Sequence, residues 1–383
     1  MAEVDPALRQ AKEAIEKELL NYPGVTGVDI GYKEVGGRRT DQLAIRVLVK
    51  KKRPDVRPEE RVPETVAGFP TDVIERRYEL QVLALDAELL TLQADTQHYE
   101  SLRGGISVGP CRLVGGTVLG GTLGLVVKDN ATGKPMLLSN FHVLCGDQTW
   151  AVGDAISQPA RIDQGTCPAS VVGSLQRAVI DQNADCAVAE MTARTATSEI
   201  VDIGVVTGTS VVRIDDPVRK RGRSTGLTYG FVDGVDLTVI VPYPGLGEVT
   251  LTNQIGVRPD TTKNAKFSGT GDSGSVLVND AGQAVGLHFA GNAADGHGAA
   301  NPIANVLSAL NVSIPTQSAP GPQPEPPPEP PPPPRRKVRP PVLNPYPPRW
   351  PPVWQPPEQP PVLRRYPPAP PYMPYGRPNG GSS

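Results

Sequence analysis

Histidine and cysteine are scarce in this chain, and long apolar runs are absent. The 383 residues include four histidines and four cysteines. The cysteines are widely spaced and form no CxxC pair, which argues against a zinc ribbon or a redox motif; they are Cys111, Cys145, Cys167 and Cys186. We therefore expect buried, reduced thiols, no metal site and no cofactor. No run of about 18 apolar residues occurs, so we expect no transmembrane helix.

A secretory signal and a nucleic-acid footprint are also missing. Residues 1–5 lack the charged and apolar regions of a signal peptide, so we expect a cytoplasmic protein. The formal net charge is -2. Residues 313–383 hold eight Arg and Lys against three Asp and Glu, so the residues before them carry a net charge of about -7. A mildly acidic body does not favour nucleic acid as a partner.

Proline is abundant, but mostly at one end of the chain. Of the 44 prolines, 29 lie between residues 313 and 383. Such a composition cannot bury a core and favours polyproline II, so residues 316–383 are predicted to be a disordered, proline-rich tail. Residues 364–370 fit RxxPxxP, a pattern that docks in aromatic grooves. A proline-rich segment matches it easily by chance, so the tail is interpreted either as a spacer or as a ligand for a partner.

Residues 1–102 have the pattern of a small α+β domain. Asp5 followed by Pro6 is typical of a helix N-terminus, and the apolar spacing predicts one amphipathic helix to about Tyr22. Two β-branched runs follow, at residues 25–32 and 43–49. We interpret this region as a regulatory or docking domain.

From Gly104 onward, short β-rich runs alternate with turn residues at intervals of about ten residues. This pattern is typical of an all-β barrel or sandwich. Almost no helix is needed before residues 301–310. Residues 103–315 are therefore predicted to form a mainly β domain, either one large barrel or two fused barrels.

Three polar residues lie at the edges of predicted strands, in the order histidine, aspartate, serine. His142 follows an apolar run, Asp185 begins one, and Ser273 lies in a glycine-rich turn. A lone histidine near a strand end is usually structural, and Asp185 alone fits an ordinary turn. The turn around Ser273 also satisfies GxGxxG with Gly269, Gly271 and Gly274. That fingerprint requires a helix next, whereas residues 275–280 predict a strand and a turn, so we expect no dinucleotide.

A nucleophilic serine needs the other two residues. A base has to remove the proton of the hydroxyl, a carboxylate has to fix the tautomer of the base, and donors have to stabilise the oxyanion. Because Gly271 has no Cβ atom, the chain there can turn the N–H groups of Gly271 and Ser273 toward one point. The order of the three residues is informative, since unrelated triad folds use different orders.

These segments resemble the catalytic blocks of trypsin-like serine peptidases. The resemblance rests on SNFHVL at residues 139–144, DCAV at 185–188 and GDSGS at 271–275, and covers residues 104 to about 312. Within that family, the chain looks closest to prokaryotic relatives of the plant narrow-leaf type peptidases. The resemblance implies two six-stranded β-barrels with the site in the cleft between them.

The resemblance also implies a role for each residue. His142 is the general base and then the general acid, Asp185 orients it, Ser273 is the nucleophile, and the N–H groups of Gly271 and Ser273 form the oxyanion hole. Three other aspartates compete for the acidic role, and Asp185 is favoured because it alone precedes an apolar Ala-Val run; the others are Asp154, Asp181 and Asp202.

Asp272 matches an aspartate that pairs with a newly cleaved N-terminus in pancreatic members of the family. Residues 103–109 only loosely resemble such a cleavage site, and a plain linker into the first strand is the alternative. The familiar disulfide beside the histidine is not implied, because Cys145 lies three residues after it. Cys145 with Cys167 is the pair to test.

The specificity pocket is implied less closely. Phe267 and Ser268 precede the nucleophile where the family lines its primary pocket, and no acid lies at the pocket floor, which disfavours Lys or Arg at P1. His288 matches a pocket histidine of glutamyl endopeptidases, although a buried structural histidine is the alternative. An acidic P1 residue and a small or apolar one remain equally open.

The function predicted from these residues is that of a serine endopeptidase with a polypeptide substrate. The alternative is a catalytically inert scaffold of the same fold that binds partners through residues 1–102 and the tail. An esterase is a weaker third option, because it shares the acyl-transfer chemistry.

Overall fold

A helix begins the part of the chain that the computed structural model describes, which is residues 3–84 and 95–315. The carboxylate of Asp5 accepts a hydrogen bond from the N–H of Ala7 (2.8 Å) and so caps α1, Pro6–Leu20. The helix ends close to the predicted Tyr22. The predicted proline-rich tail and its RxxPxxP match lie outside the described residues.

Strands are the main elements after α1, which confirms the prediction of a mainly β protein. Before residue 85 they are β1 (Val25–Val35), β2 (Arg38–Val49), β3 (Thr65–Val66), β4 (Phe69–Glu75), β5 (Glu79–Leu80) and β6 (Leu83–Ala84).

The middle of the chain forms a β-barrel-like sheet. The elements of this region are β7 (Ser101–Gly104), β8 (Ile106–Pro110), β9 (Leu119–Leu123), β10 (Leu125–Asp129), β11 (Pro135–Ser139), the short helix α2 (Phe141–Leu144), β12 (Ala155–Ser157), β13 (Val171–Ile180), β14 (Asp185–Met191) and β15 (Thr195–Ile200). Of these, β7 and β15 lie outside the barrel-like sheet and pair with each other. Nine strands of the described chain follow one another in the order β24-β10-β11-β14-β13-β12-β8-β9-β6, where β24 is Val312–Ser313. This first sheet supplies one wall of the cleft.

The last third of the described chain forms a closed barrel. The elements of this region are β16 (Gly204–Val205), β17 (Gly208–Thr209), β18 (Pro217–Gly222), β19 (Gly226–Tyr243), β20 (Gly247–Pro259), β21 (Val276–Asn279), β22 (Gln283–Gly291), β23 (Gly298–Pro302) and α3 (Ile303–Leu310). Of these, β16 lies outside the barrel and pairs with β15. The strands run in the order β18-β21-β22-β23-β20-β19, and β19 pairs with β18 again, so six strands complete a ring. This second barrel supplies the opposite wall.

The N-terminal strands share the sheet of the second barrel. Residues 226–231 of β19 pair with β18, whereas residues 234–239 pair with β1, and β2, β4 and β3 extend the sheet from there. Leu8 and Leu19 of α1 lie in one apolar core with Val232 and Val257 of the barrel. The functional division between residues 102 and 103 stays a prediction, but residues 3–84 are joined to the barrel by backbone pairing and a common core.

The cysteine prediction is wrong for one pair. Cys111 and Cys167 form a disulfide, so the partner of Cys167 is Cys111 and not Cys145. Cys145 and Cys186 are free and buried. Disulfides are typical of oxidising compartments, which does not favour the predicted cytoplasmic location; that location stays a prediction. Among the described residues, no helix is both long and apolar enough to cross a membrane.

Candidate active site

The predicted catalytic residues come from both walls of the cleft. His142 lies on α2 and Asp185 begins β14, so both belong to the first sheet. Ser273 lies in the loop between β20 and β21 of the second barrel. The two walls are joined here, because the N–H of Thr122 on β9 donates to the carbonyl oxygen of Ser273 (2.8 Å). The tertiary structure therefore gathers residues that lie far apart in the chain.

His142 and Asp185 form a buried hydrogen-bonded pair. Nδ1 of His142 donates to Oδ2 of Asp185, and the backbone N–H of His142 donates to Oδ1 (3.3 Å). The hydroxyl of Tyr243 also donates to Oδ2 (2.7 Å). Burial, and then the charge of Asp185, raises the pKa of Tyr243 well above its ordinary value, so that hydroxyl stays a donor. With the proton on Nδ1, Nε2 of His142 is left as the basic nitrogen.

A tight turn and two amide side chains hold Asp185 at the start of β14. Oδ1 of Asp181 accepts hydrogen bonds from the N–H groups of Asn183 (2.7 Å) and Ala184 (3.0 Å). Nδ2 of Asn140 donates to the carbonyl oxygen of Asp185 (2.7 Å), and Oδ1 of Asn301 accepts from its N–H (3.0 Å). Because Asn140 directly precedes α2, its bond ties the histidine helix to the aspartate strand.

The other candidate aspartates do not contact His142 within the described chain. Asp181 closes the turn just described, Asp202 binds Arg221 (2.9 Å), and Asp154 accepts from a backbone N–H of its own turn (3.0 Å). Asp185 is thus the aspartate that the structure brings to the histidine.

The hydroxyl of Ser273 is bound to a carbonyl group of β22. Its Oγ donates to the carbonyl oxygen of Phe289 (2.9 Å) and accepts from the N–H of Gln81 (3.2 Å). Nε2 of His142 has no hydrogen-bond partner among the described residues. The serine and the histidine therefore share no hydrogen bond in this structure.

Two backbone N–H groups of the serine loop converge on one oxygen. The N–H of Gly271 donates to the carbonyl oxygen of Gln81 (2.5 Å), and the N–H of Ser273 donates to the same oxygen (3.4 Å). Gly271 has φ +99°, and a Cβ atom there would lie 2.2 Å from Oγ of Ser224. Glycine is needed at this position because a side chain would be strained and would clash.

A buried ion pair holds the serine loop in this conformation. The carboxylate of Asp272 binds the ammonium group of Lys220 (2.8 Å) and accepts hydrogen bonds from the N–H groups of Ser224 (3.0 Å) and Gly269 (3.0 Å). Burial alone would raise the pKa of Asp272, but the charge of Lys220 and the hydrogen bonds hold that pKa below its ordinary value. Asp272 therefore stays charged, and its ion pair and hydrogen bonds stabilise the conformation of the loop.

This ion pair bears on the loosely matched cleavage site of the sequence. Arg103 lies within β7, and Ile106 in β8 is fully buried. The resemblance matches Asp272 to an aspartate that pairs with a newly cleaved N-terminus. Here the carboxylate of Asp272 is already paired with the ammonium group of Lys220. Residues 103–109 therefore lie in β7, in β8 and in the turn between them, and the carboxylate of Asp272 is already paired.

The predicted pocket residues lie together beside the serine loop. The rings of Phe267 and His288 are 6.2 Å apart and edge to face, and Ser268 is buried with an Oγ that has no partner among the described residues. Burial, and then the charge of Lys220, lowers the pKa of His288 to about 3. The imidazole is therefore neutral near pH 7.

Gln81 fills this pocket. Nε2 of His288 lies 2.7 Å from Oε1 of Gln81, so a neutral imidazole with its proton on Nε2 donates to the amide oxygen. A Cβ atom at Gly291 would lie 2.2 Å from Nε2 of Gln81, so the amide group lies against the bare backbone of that glycine.

The GxGxxG turn is followed by strand β21, as predicted, and not by a helix.

Sequence reasoning missed Gln81, Lys220 and Tyr243. Nothing local marks Gln81 or Tyr243, whose importance comes only from what lies beside them. Lys220 alternates with Val218 and Gly222 on the buried side of β18, but the sequence alone does not show that this side is buried. A basic residue at an inward position implies a buried acid, here Asp272.

Several solved proteases have similar structures at low identity. Thermobifida fusca protease A is 20% identical with a TM-score of 0.42, and the match covers 57% of this chain and 100% of that chain. Nocardiopsis protease is 21% identical with a TM-score of 0.41, covering 56% and 100%. A glutamic acid specific serine protease, described as using a novel histidine triad in substrate binding, is 20% identical with a TM-score of 0.41, covering 56% and 100%.

No protein-family model and no curated protein matches the chain. At these identities and TM-scores, the structural likenesses carry no argument about the activity of this chain. The class of protein is defined by its own architecture, in which two β-barrel-like sheets enclose a cleft lined by a histidine-aspartate pair and a serine loop. This architecture agrees with the trypsin-like fold that the sequence resemblance implies. The similar solved structures named above are proteases.

Proposed function

We propose that the chain is a serine endopeptidase that hydrolyses peptide bonds with His142, Asp185 and Ser273. One observation carries the proposal: the N–H groups of Gly271 and Ser273 converge on the carbonyl oxygen of a peptide bond, at 2.5 and 3.4 Å. Donors that are fixed before the reaction stabilise the oxyanion of acyl transfer, and each contributes about 10²- to 10³-fold to kcat. A peptide carbonyl bound by these two donors supports the proposal that they form an oxyanion hole.

The reaction starts with a rotation of one side chain. Oγ of Ser273 leaves the carbonyl group of Phe289 and turns to Nε2 of His142, the free basic nitrogen of the pair. His142 then takes the hydroxyl proton while Oγ adds to the carbonyl carbon of the substrate. Asp185 stabilises the imidazolium that forms, and Tyr243 holds that carboxylate by its hydrogen bond.

His142 next returns the proton to the leaving nitrogen, and the C–N bond breaks. The acyl group is then bound to Oγ of Ser273. A water molecule gives a proton to His142 and adds to the acyl carbon, and the C–O bond breaks as the serine regains its proton. One water is consumed for each peptide bond.

The pocket bears on the P1 residue. The sequence left an acidic residue and a small or apolar one open, and that preference stays a prediction. A neutral His288 offers one N–H to a side-chain oxygen, and an uncharged amide enters a buried pocket at lower cost than a carboxylate does. Glutamine therefore joins glutamate and alanine in the peptide series that tests the pocket.

Labelling of the serine by a fluorophosphonate tests the proposed function. Because Gln81 lies in the cleft, we include the variant Gln81→Lys, whose charged side chain does not fit beside the neutral His288. We expect this variant to be labelled and Gln81→Lys/Ser273→Ala to be unlabelled. The matched control is Gln81→Lys/Ser275→Ala, which removes the neighbouring hydroxyl of the same loop and keeps the label.

The inert scaffold and the esterase are outcomes of the same assay. A folded Gln81→Lys protein without label favours the scaffold. Labelling together with hydrolysis of p-nitrophenyl esters, but of no peptide in the series, favours the esterase.

A further inference from the structure

The chain lays one of its own segments across the cleft. Residues 79–84, here called the cleft segment, pair with both walls. Strand β5 pairs antiparallel with β22 of the second barrel, with Leu80 opposite Ala290. Strand β6 pairs antiparallel with β9 of the first sheet, with Leu83 opposite Gly120. Added edge strands are a general way in which proteins bind extended peptides.

Gln81 lies at the centre of the cleft segment and makes three contacts that are expected of a bound substrate residue. Its carbonyl oxygen accepts from the N–H groups of Gly271 and Ser273, and its N–H lies 3.4 Å from the carbonyl oxygen of Phe289. Its side chain reaches His288 (2.7 Å). The carbonyl, the backbone nitrogen and the side chain are thus held at the same time.

The residues before the cleft segment are firmly anchored. Arg76 is buried and binds Asp233 (3.0 Å) and Asp295 (3.1 Å), both in the second barrel or its loops. Tyr78 is fully buried in an apolar cluster with Phe289. An anchored segment has already lost its freedom of motion, so its bond is presented at a high effective concentration.

We propose that the chain cleaves itself, in cis, at the peptide bond between Gln81 and Val82. This inference rests on the proposed function of the same site. Oγ of Ser273 adds to the carbonyl carbon of Gln81 and gives its proton to Nε2 of His142. The bond to the nitrogen of Val82 then breaks, and that nitrogen takes the proton and becomes the new amino terminus.

Water completes the reaction. It adds to the acyl carbon of Gln81, one of its protons passes through His142 to Oγ of Ser273, and Gln81 becomes a carboxyl terminus. No oxidant or further reactant is needed. The products are residues 1–81 and a chain that starts at Val82.

The two products stay together after the cut. Residues 3–81 remain paired through β1 to β19 and packed through Leu8 and Leu19 of α1. Self-cleavage therefore leaves a noncovalent complex from which the new C-terminus can leave the cleft and make room for another polypeptide.

Intact-mass measurement of the purified full chain, together with N-terminal sequencing, tests the proposal. We expect two co-eluting fragments, one of them beginning at Val82, and no cut in Ser273→Ala. The cut should follow first-order kinetics with a rate that is unchanged over a 100-fold dilution, because it is intramolecular. A rate that falls with dilution would overturn cleavage in cis.

Two lysine variants within the cleft segment locate the cut. Gln81→Lys places a cation beside the neutral His288 and should slow cleavage at residue 81 at least 10-fold. Glu79→Lys makes a larger change of charge on an exposed side chain of the cleft segment and should cleave within about threefold of the wild-type rate. Equal rates for the two variants would contradict the role of Gln81.

Fluorophosphonate labelling separates this inference from the proposed function. A wild-type chain that stays intact while Gln81→Lys is labelled at Ser273 overturns self-cleavage and leaves the peptidase in place. In that case the cleft segment is an inhibitor of its own enzyme. An intact wild type and no label in Gln81→Lys overturn both.

Discussion

The ammonium group of Lys220 lies 2.8 Å from the carboxylate of Asp272, and both side chains are fully buried. The pair joins β18 to the residue just before Ser273. Because Asp272 also binds backbone N–H groups of its surroundings, the pair fixes the loop whose own N–H groups meet at the carbonyl oxygen of Gln81. An internal lysine thus takes the place that the sequence resemblance gave to a cleaved N-terminus.

Replacing Lys220 should destabilise the conformation of the serine loop. Lys220→Met leaves Asp272 as a buried, unpaired charge, and we expect a loss of about 3–5 kcal/mol in the free energy of unfolding. Urea denaturation measures this loss. The double variant Lys220→Met/Asp272→Asn removes the unpaired buried charge and should recover more than half of the lost free energy of unfolding. A Lys220→Met protein as stable as wild type would contradict the stabilising role of this ion pair.

The aspartate beside the histidine should dominate the rate of peptide hydrolysis. Asp185→Asn no longer fixes the proton on Nδ1 of His142, and we expect kcat to fall about 10⁴-fold. The measurement uses a fluorogenic peptide that carries residues 77–84, with Gln81→Lys as the parent. Tyr243→Phe removes one hydrogen bond to the same carboxylate and should lower kcat by about tenfold or less. Equal losses in the two variants would argue against the assigned roles.

The buried pocket histidine should make stability depend on pH. The pKa of His288 is lowered to about 3 in the folded protein, against about 6.5 when unfolded. Between these values the unfolded chain binds one more proton, so the stability present above pH 6.5 is lost as the pH falls toward 3. For one proton the slope is about 1.4 kcal/mol per pH unit.

Urea denaturation at pH 4, 5 and 6 measures this slope. Ser273→Ala serves as the uncut parent, and Ser273→Ala/His288→Gln lacks the titrating group. We expect the parent to lose stability more steeply as the pH falls. Identical slopes in the two proteins would show that His288 is not held neutral by burial.

The disulfide should be detectable by counting thiols. In denaturant without a reductant, we expect two of the four cysteines to react with Ellman's reagent, namely Cys145 and Cys186. Cys111 and Cys167 are 56 positions apart, and the double variant Cys111→Ser/Cys167→Ser should lose about 2–4 kcal/mol in the free energy of unfolding. Four reactive thiols would instead support the reduced protein predicted from the sequence.

Local pattern was sufficient for the helix and for several strands, and it indicated candidate site residues whose roles stay predictions. Asp5 and Pro6 marked the start of α1, and apolar runs marked β11, β14 and β21. The glycines around Ser273 indicated a turn with free N–H groups. Such features follow from the preferences of neighbouring residues, and neighbours are known from the sequence.

Contacts between segments that are remote in the chain could not be predicted from local sequence. Whether Cys167 bonds Cys145 or Cys111 depends on which loops meet, and a buried lysine such as Lys220 looks like an exposed one until its partner is placed. The pairing of β1 with the long strand β19 likewise joins segments that are remote in the chain.

By itself, the sequence determined the mainly β fold class, the order histidine, aspartate, serine, and the glycine-rich turn that carries Ser273, the proposed nucleophile. Only the tertiary structure decided that Gln81 lies against that turn and that Lys220 forms an ion pair with Asp272 within it. The physical reason is that secondary structure follows from torsional preference and periodicity along the chain. The occupant of a cleft is selected by shape, hydrogen bonding and charge between segments that meet only after folding.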